Sequence, residues 1–298
     1  MTLHGRDGRS AALPEPPREG GSLRAGTFPP VSRRACAALG HAVGAFIRQV
    51  FTVAWAETRK LRRDPMELFT RAVQPVLWLG VFGVVMSRAR AIPTGAIPYL
   101  DFMVPGILAQ SVLFVAIFYG ISLIWERDLG ILHKYLASPA YRGALVSGKA
   151  ASAGVRALAQ AVIVGLLALL MGANLRLSPV QMAGALVFIV LGAAIFSTFS
   201  LAIACLVKTR ERFMGIGQVL TMPLFFASNA IYPLTLMPRW LQVLSRGNPL
   251  TYQVDALRAL MIQGGQSGMG LGTDFAVDAA VLLLLVVVAA RLYPTAIQ

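Results

Sequence analysis

The chain has 298 residues and a formal net charge of +14, yet 56% of its residues are hydrophobic and only 13% are charged, about half the charged share of soluble domains. That balance excludes a water-soluble globule, which could not hide so much apolar surface. Continuous apolar runs without period-two alternation also exclude a membrane β-barrel and leave transmembrane helices, each needing about 20 apolar residues.

Residues 1–43 are rich in Pro, Gly and Arg and carry no apolar signal-peptide core, so they read as a disordered basic arm on the cytosolic side. Cys36 in this arm and Cys205 in an apolar run form neither a metal spacing nor a disulfide framework, and His4, His41 and His133 are scattered. No metal site is expected. Residues 44–64 form a basic amphipathic helix suited to the membrane surface. Phe46, Ile47, Val50, Phe51, Ala54, Trp55 and Leu61 fall near one face, and Arg48, Glu57, Arg59, Lys60, Arg62 and Arg63 lie mostly on the other. Asp64-Pro65 breaks it.

Residues 65–298 read as an all-α polytopic membrane domain of six transmembrane helices, at about 68–87, 102–125, 149–172, 180–207, 213–232 and 275–291. The short NLRLSP turn at 174–179 makes the third and fourth an antiparallel hairpin. With both termini cytosolic, 21 of the 27 Lys and Arg fall inside, and Arg88, Arg90, Arg176, Arg239, Arg246 and Arg258 fall outside. The positive-inside bias thus accounts for the net charge without a nucleic-acid partner.

Gly143, Gly148 and Lys149 in YRGALVSGKA imitate the opening of a phosphate-binding loop. Ala150 stands where a Ser or Thr would hold Mg²⁺, and no buried strand precedes, so this chain is not expected to bind ATP. There is no GxSxG, no His-Glu metal motif and no carboxylate pair at a lipid boundary, so no enzyme activity is expected. Glu126, Arg127 and Asp128 stand at the second span's exit, followed by Leu129, Ile131, Leu132, Tyr135 and Leu136 on a short amphipathic helix stopped by Pro139. Such a helix can dock in a partner's groove or simply anchor its loop at the interface. Inside the spans, Gln110, Gln218 and Asn229 are candidates for a substrate path, while Ser111, Ser197, Thr198, Thr221 and Ser228 suit helix packing. Asp101 and Asp278 fall near span ends, which leaves no carboxylate for a proton relay and disfavours a proton-coupled secondary transporter.

The run ERDLGILHKYLASPAYRGALVSGK, with YLDFMVPGILAQS before it and NPLTYQVDALRAL after it, resembles the ABC-2 type transporter permeases, the daunorubicin and multidrug-resistance kind among them. The likeness covers about residues 45–265 and includes the basic helix before the first span. It implies a membrane subunit without a cofactor of its own, in a bacterial cytoplasmic membrane. ATP and Mg²⁺ would belong to a separate ABC ATPase present in two copies, and a second permease copy, identical or related, would complete the transporter. Glu126, Arg127, Asp128, Gly130 and Leu132 would then form the coupling helix. Trp55, Glu57, Arg59 and Lys60 would belong to the connecting helix. Asn248, Pro249 and Tyr252, with Asp255 and Arg258, would sit in an outer re-entrant hairpin before the last span. Lys149 and Arg156 would start the third span and snorkel to the lipid headgroups. The implied activity is export of a hydrophobic drug, antibiotic or lipid-like molecule, with a lipid-linked polysaccharide as the alternative cargo.

Overall fold

Where apolar runs cannot satisfy their backbone groups from outside, they must satisfy them within the segment, and the chain does so with helices. The computed structural model describes residues 66–90, 92–95, 97–130, 142–207 and 209–293, together with Arg48, Thr52, Trp55 and Arg59. All of them belong to one compact unit, residues 42–298. Helix α1 (Met66–Leu77) contains Pro75, runs into a π-helical stretch at Trp78–Gly83 and continues as α2 (Val84–Ala89). Next come α3 (Tyr99–Tyr119), α4 (Ile121–Asp128), α5 (Arg142–Leu170), α6 (Pro179–Leu206) and α7 (Arg210–Phe226). Two short helices, α8 (Arg239–Arg246) and α9 (Pro249–Met261), precede α10 (Leu271–Leu292). Among the described residues the only β pairing is the isolated bridge Leu175–Ile262.

Four segments are long and apolar enough to cross a membrane: Tyr99–Asp128, Leu145–Leu170, Pro179–Leu206 and Leu271–Leu292. Val73–Ala89 is a shorter apolar helix. Helix α3 is the centre of the bundle. Its Met103, Ile107, Leu108, Val112 and Leu113 pack in one core with Ile189 and Phe196 of α6 and Leu250, Val254 and Leu257 of α9. A second core holds Leu123, Ile124, Val146, Leu201, Phe213 and Tyr293 at one end of the bundle. Helix α10 lies at the edge, and its Leu283 and Leu284 are exposed. An aliphatic helix so little covered by protein needs an apolar surrounding, which a bilayer supplies.

The structure moves several expected boundaries. Predicted span three begins earlier, at Arg142, so Gly143, Gly148 and Lys149 lie on α5 and not in a turn or a phosphate-cradling loop. Predicted span five ends at Phe226 and leaves Ser228 and Asn229 in a turn. Ser228 Oγ donates to the Phe225 carbonyl at 2.7 Å, and Ala230 N donates to Ser228 Oγ at 3.3 Å. Such local side-chain bonds compete with helix continuation. The turn also explains Gly106: a Cβ there would overlap the Ala230 carbonyl. Gly106→Val is therefore expected to cost about 1–3 kcal/mol, read as a lower thermal midpoint in detergent; an unchanged midpoint would mean that the turn can move aside.

In the amphipathic segment 44–64, Arg48, Thr52, Trp55 and Arg59 are helical, and Thr52 Oγ1 donates to the Arg48 carbonyl at 2.8 Å. Spacings of four, three and four residues put these side chains on one face, and all four are exposed. This corrects the expectation that Trp55 lies opposite the two arginines. Glu57 and Lys60 lie outside the described residues.

Candidate functional site

The last turn of α4, Trp125-Glu126-Arg127-Asp128, sets its four side chains against three neighbours, Lys149, Val207 and Arg210. The Lys149 Nζ on α5 stands 2.9 Å from each Glu126 oxygen. Glu126 is 5% exposed and Lys149 2%, so the expectation that Lys149 snorkels to headgroups is corrected: it is a buried partner of Glu126. Arg127 Nη1 donates to the Val207 carbonyl at 3.1 Å, at the C-terminus of α6, where the helix dipole favours a cation. Asp128 accepts from Arg210 Nη2 of α7 at 2.7 Å, and that guanidinium lies 3.5 Å from the centre of the Trp125 ring.

These contacts clamp α4 to α5, α6 and α7. One turn deeper, the Tyr119 and Ser152 hydroxyls share a hydrogen bond at 2.7 Å, and Ser152 donates to the Lys149 carbonyl at 3.1 Å. Arg156 lies 5.2 Å from the Tyr119 ring centre. The helix stops because Gly130 adopts φ 70° and donates its N–H to the Arg127 carbonyl at 2.9 Å, a left-handed cap that glycine adopts at least cost. Leu129 beside it is exposed. Residues 131–141, with Leu132, lie outside the described residues.

At the opposite end, α8 and α9 form a helical hairpin. Asn248 caps α9 by accepting from Leu250 N at 3.0 Å, and its Nδ2 donates to the Leu224 carbonyl of α7 at 2.6 Å. Pro249 occupies the first turn of α9, and the Tyr252 hydroxyl donates to the Arg246 carbonyl at 2.7 Å. Helix α9 packs against α3, α6 and α10. The buried Arg258 donates to the Asn229 carbonyl at 2.8 Å and lies 3.8 Å from the Phe102 ring centre. Asp101 accepts from the Asn174 backbone N–H at 3.2 Å and from its Nδ2 at 3.1 Å, which joins the α5–α6 turn to the start of α3.

The three path candidates do not share one surface: Gln110 and Asn229 are buried, and Gln218 is exposed on α7. A different groove, of about 260 Å³, lies between α1 and α3 and is lined by Thr70, Gln74, Ser111, Phe114, Val115 and Phe118. Sequence reasoning assigned Ser111 to packing and passed over Thr70 and Gln74. It also missed buried carboxylates. Ser267 Oγ bridges Asp255 at 3.0 Å and Asp274 at 2.9 Å, and Asp278 is fully buried one turn further on. The expected lack of interior carboxylates is thus corrected, because α10 begins at Leu271 and draws both of its aspartates into the bundle.

The model of the ABC-2 type transporter family matches residues 48–262, a stretch that includes the clamp, the groove and the hairpin. The chain belongs to the ABC-2 type transporter family. This ABC-2 permease is 31% identical over 218 residues to the putative transport permease ycf38 of Cyanophora paradoxa, covering 72% of this chain and 74% of that protein. It is 27% identical over 251 residues to the daunorubicin resistance ABC transporter permease protein DrrB1 of Streptomyces coeruleorubidus, covering 83% and 86%. It is 29% identical over 175 residues to the probable multidrug ABC transporter permease YbhR of Escherichia coli K12, covering 56% and 46%. As an ABC-2 permease it is a multi-pass membrane subunit of an ABC transporter, and its family implies an ABC ATPase partner.

Proposed function

We propose that this permease carries a hydrophobic drug, antibiotic or lipid-like molecule outward across a bacterial cytoplasmic membrane, driven by ATP on a separate subunit. The observation that carries this reading is the likeness, along 83% of the chain, to a permease named for daunorubicin resistance. Six helices span the membrane: the α1–α2 run, α3 with α4, α5, α6, α7 and α10. The Glu126–Lys149 end faces the cytosol, as do both termini, and the α8–α9 hairpin re-enters from outside. Two permeases, identical or related, pair with two ATPases.

The residues supply a route for the work. ATP-driven closure of the ATPases presses on the segment that follows Gly130 and on the connecting helix around Trp55 and Arg59. The clamp passes that displacement into α5, α6 and α7, because a buried ion pair and helix-end hydrogen bonds leave little slack. A change of state needs contacts that differ between the two states, and the exposed Asp128–Arg210 pair can break at small cost. The Thr70–Gln74–Ser111 groove, apolar with a few polar groups, suits half of a path for an amphipathic cargo. A second copy would close the other half.

The test is reconstitution with an ABC ATPase that co-purifies with it. Inverted vesicles should take up a fluorescent anthracycline only with ATP, and the permease alone should hydrolyse none. Uptake driven by a proton gradient without ATP would overturn the reading. So would ATPase activity of the isolated chain.

A further inference from the structure

Helix α8 is amphipathic the wrong way round for a helix packed on a protein core. Trp240, Val243 and Leu244, spaced to share one face, are 66%, 70% and 56% exposed. Its polar side chains turn inward: Gln242 Nε2 donates to the Met237 carbonyl at 2.8 Å, and the buried Ser245 hydroxyl bonds Thr251 Oγ1 at 3.0 Å. Leu236, just ahead of the helix, adds to the exposed apolar side. Arg239 and Arg246 bracket the helix, both are exposed, and neither forms an ion pair among the described residues. Asp101, Asp255, Asp274 and Asp278, on this half of the molecule, are all buried and so out of reach of an exposed guanidinium.

We propose that α8 lies in the headgroup layer on the hairpin side of the membrane, with Trp240, Val243 and Leu244 below the phosphates and Arg239 and Arg246 on anionic phospholipid headgroups. An apolar helix face with a tryptophan and flanking arginines fits an interface that is apolar on one side and charged on the other. The unpaired guanidiniums select an anionic lipid over a neutral one. Because Asn248 ties this hairpin to the Leu224 carbonyl of α7, the lipid contact reaches the bundle directly. The proposal rests on the reading of α10 and the other long helices as membrane spans.

The experiment uses the full chain, with its ATPase, in vesicles of equimolar phosphatidylcholine and phosphatidylglycerol. A nitroxide is placed at Val243→Cys or Leu284→Cys in a Cys36→Ser, Cys205→Ala background. Relaxation by oxygen, which partitions into lipid, is compared with relaxation by a water-soluble nickel chelate. The label at 243 should be oxygen-accessible and shielded from nickel, as at 284. Spin-labelled phosphatidylglycerol should associate more strongly than spin-labelled phosphatidylcholine, and Arg239→Gln/Arg246→Gln should bring the two toward equality. A nickel-accessible 243 beside a lipid-facing 284 would overturn the α8 proposal alone, as would a Val243→Cys disulfide between two copies in place of lipid contact. A nickel-accessible 284 would overturn the membrane-span reading together with it.

Discussion

Lys149→Ala is expected to destabilise the folded permease by about 3–5 kcal/mol, because it strands the Glu126 carboxylate in a buried site. The pair brings both groups out of solvent and leaves each as the other's countercharge, with Nζ 2.9 Å from both oxygens. Glu126→Ala should cost a similar amount by stranding the ammonium. Removing both charges as Glu126→Gln/Lys149→Met should recover most of the loss, since apolar or neutral replacements of a buried pair often come close to neutral. Thermal unfolding in detergent, followed by the loss of the monodisperse peak, measures the stability series. The coupling role is read separately, as cargo moved per ATP hydrolysed in the reconstituted complex. If the pair transmits the stroke, the neutral double variant folds but wastes ATP. Wild-type coupling in that variant would reduce the pair to a structural element.

Gly130→Pro is expected to abolish ATP-driven transport while leaving insertion of the permease intact. Gly130 has φ 70° and donates its N–H to the Arg127 carbonyl. Proline is locked near φ −65° and has no N–H, so it can reproduce neither feature. The chain would leave α4 in a different direction, and under the proposed coupling role the segment through Leu132 would no longer meet the ATPase. Gly130→Asn should retain much of the activity, because asparagine tolerates the left-handed region at a cost of about 1–2 kcal/mol. Co-purification of the ATPase and vesicle uptake check both variants. Full transport by Gly130→Pro would remove residues 126–132 from the coupling role.

Much of this molecule is legible in one dimension. The apolar runs at 102–125, 149–172, 180–207 and 275–291 fall almost wholly on helices α3 to α6 and α10, because a run that cannot hydrogen-bond to its surroundings has few alternatives. The ERD tripeptide stands out for the same reason, as charge at the end of an apolar run. Lys149 was in plain view too, but its partner was not. The two stand 23 positions apart, and only the packing of α5 against α3, which leads into α4, sets the two side chains face to face. The aspartates of α10 were hidden by a boundary: an aliphatic run starting at 275 omits Asp274 and places Asp278 at an edge.

The family, the helical character and the uneven distribution of basic residues therefore follow from the sequence itself, since they depend on composition, spacing and local motifs. The tertiary structure alone decided which charges are buried together and that α8 turns its apolar side away from the protein. Those outcomes depend on how helices approach and rotate against one another. A local pattern carries no record of its neighbour across the bundle.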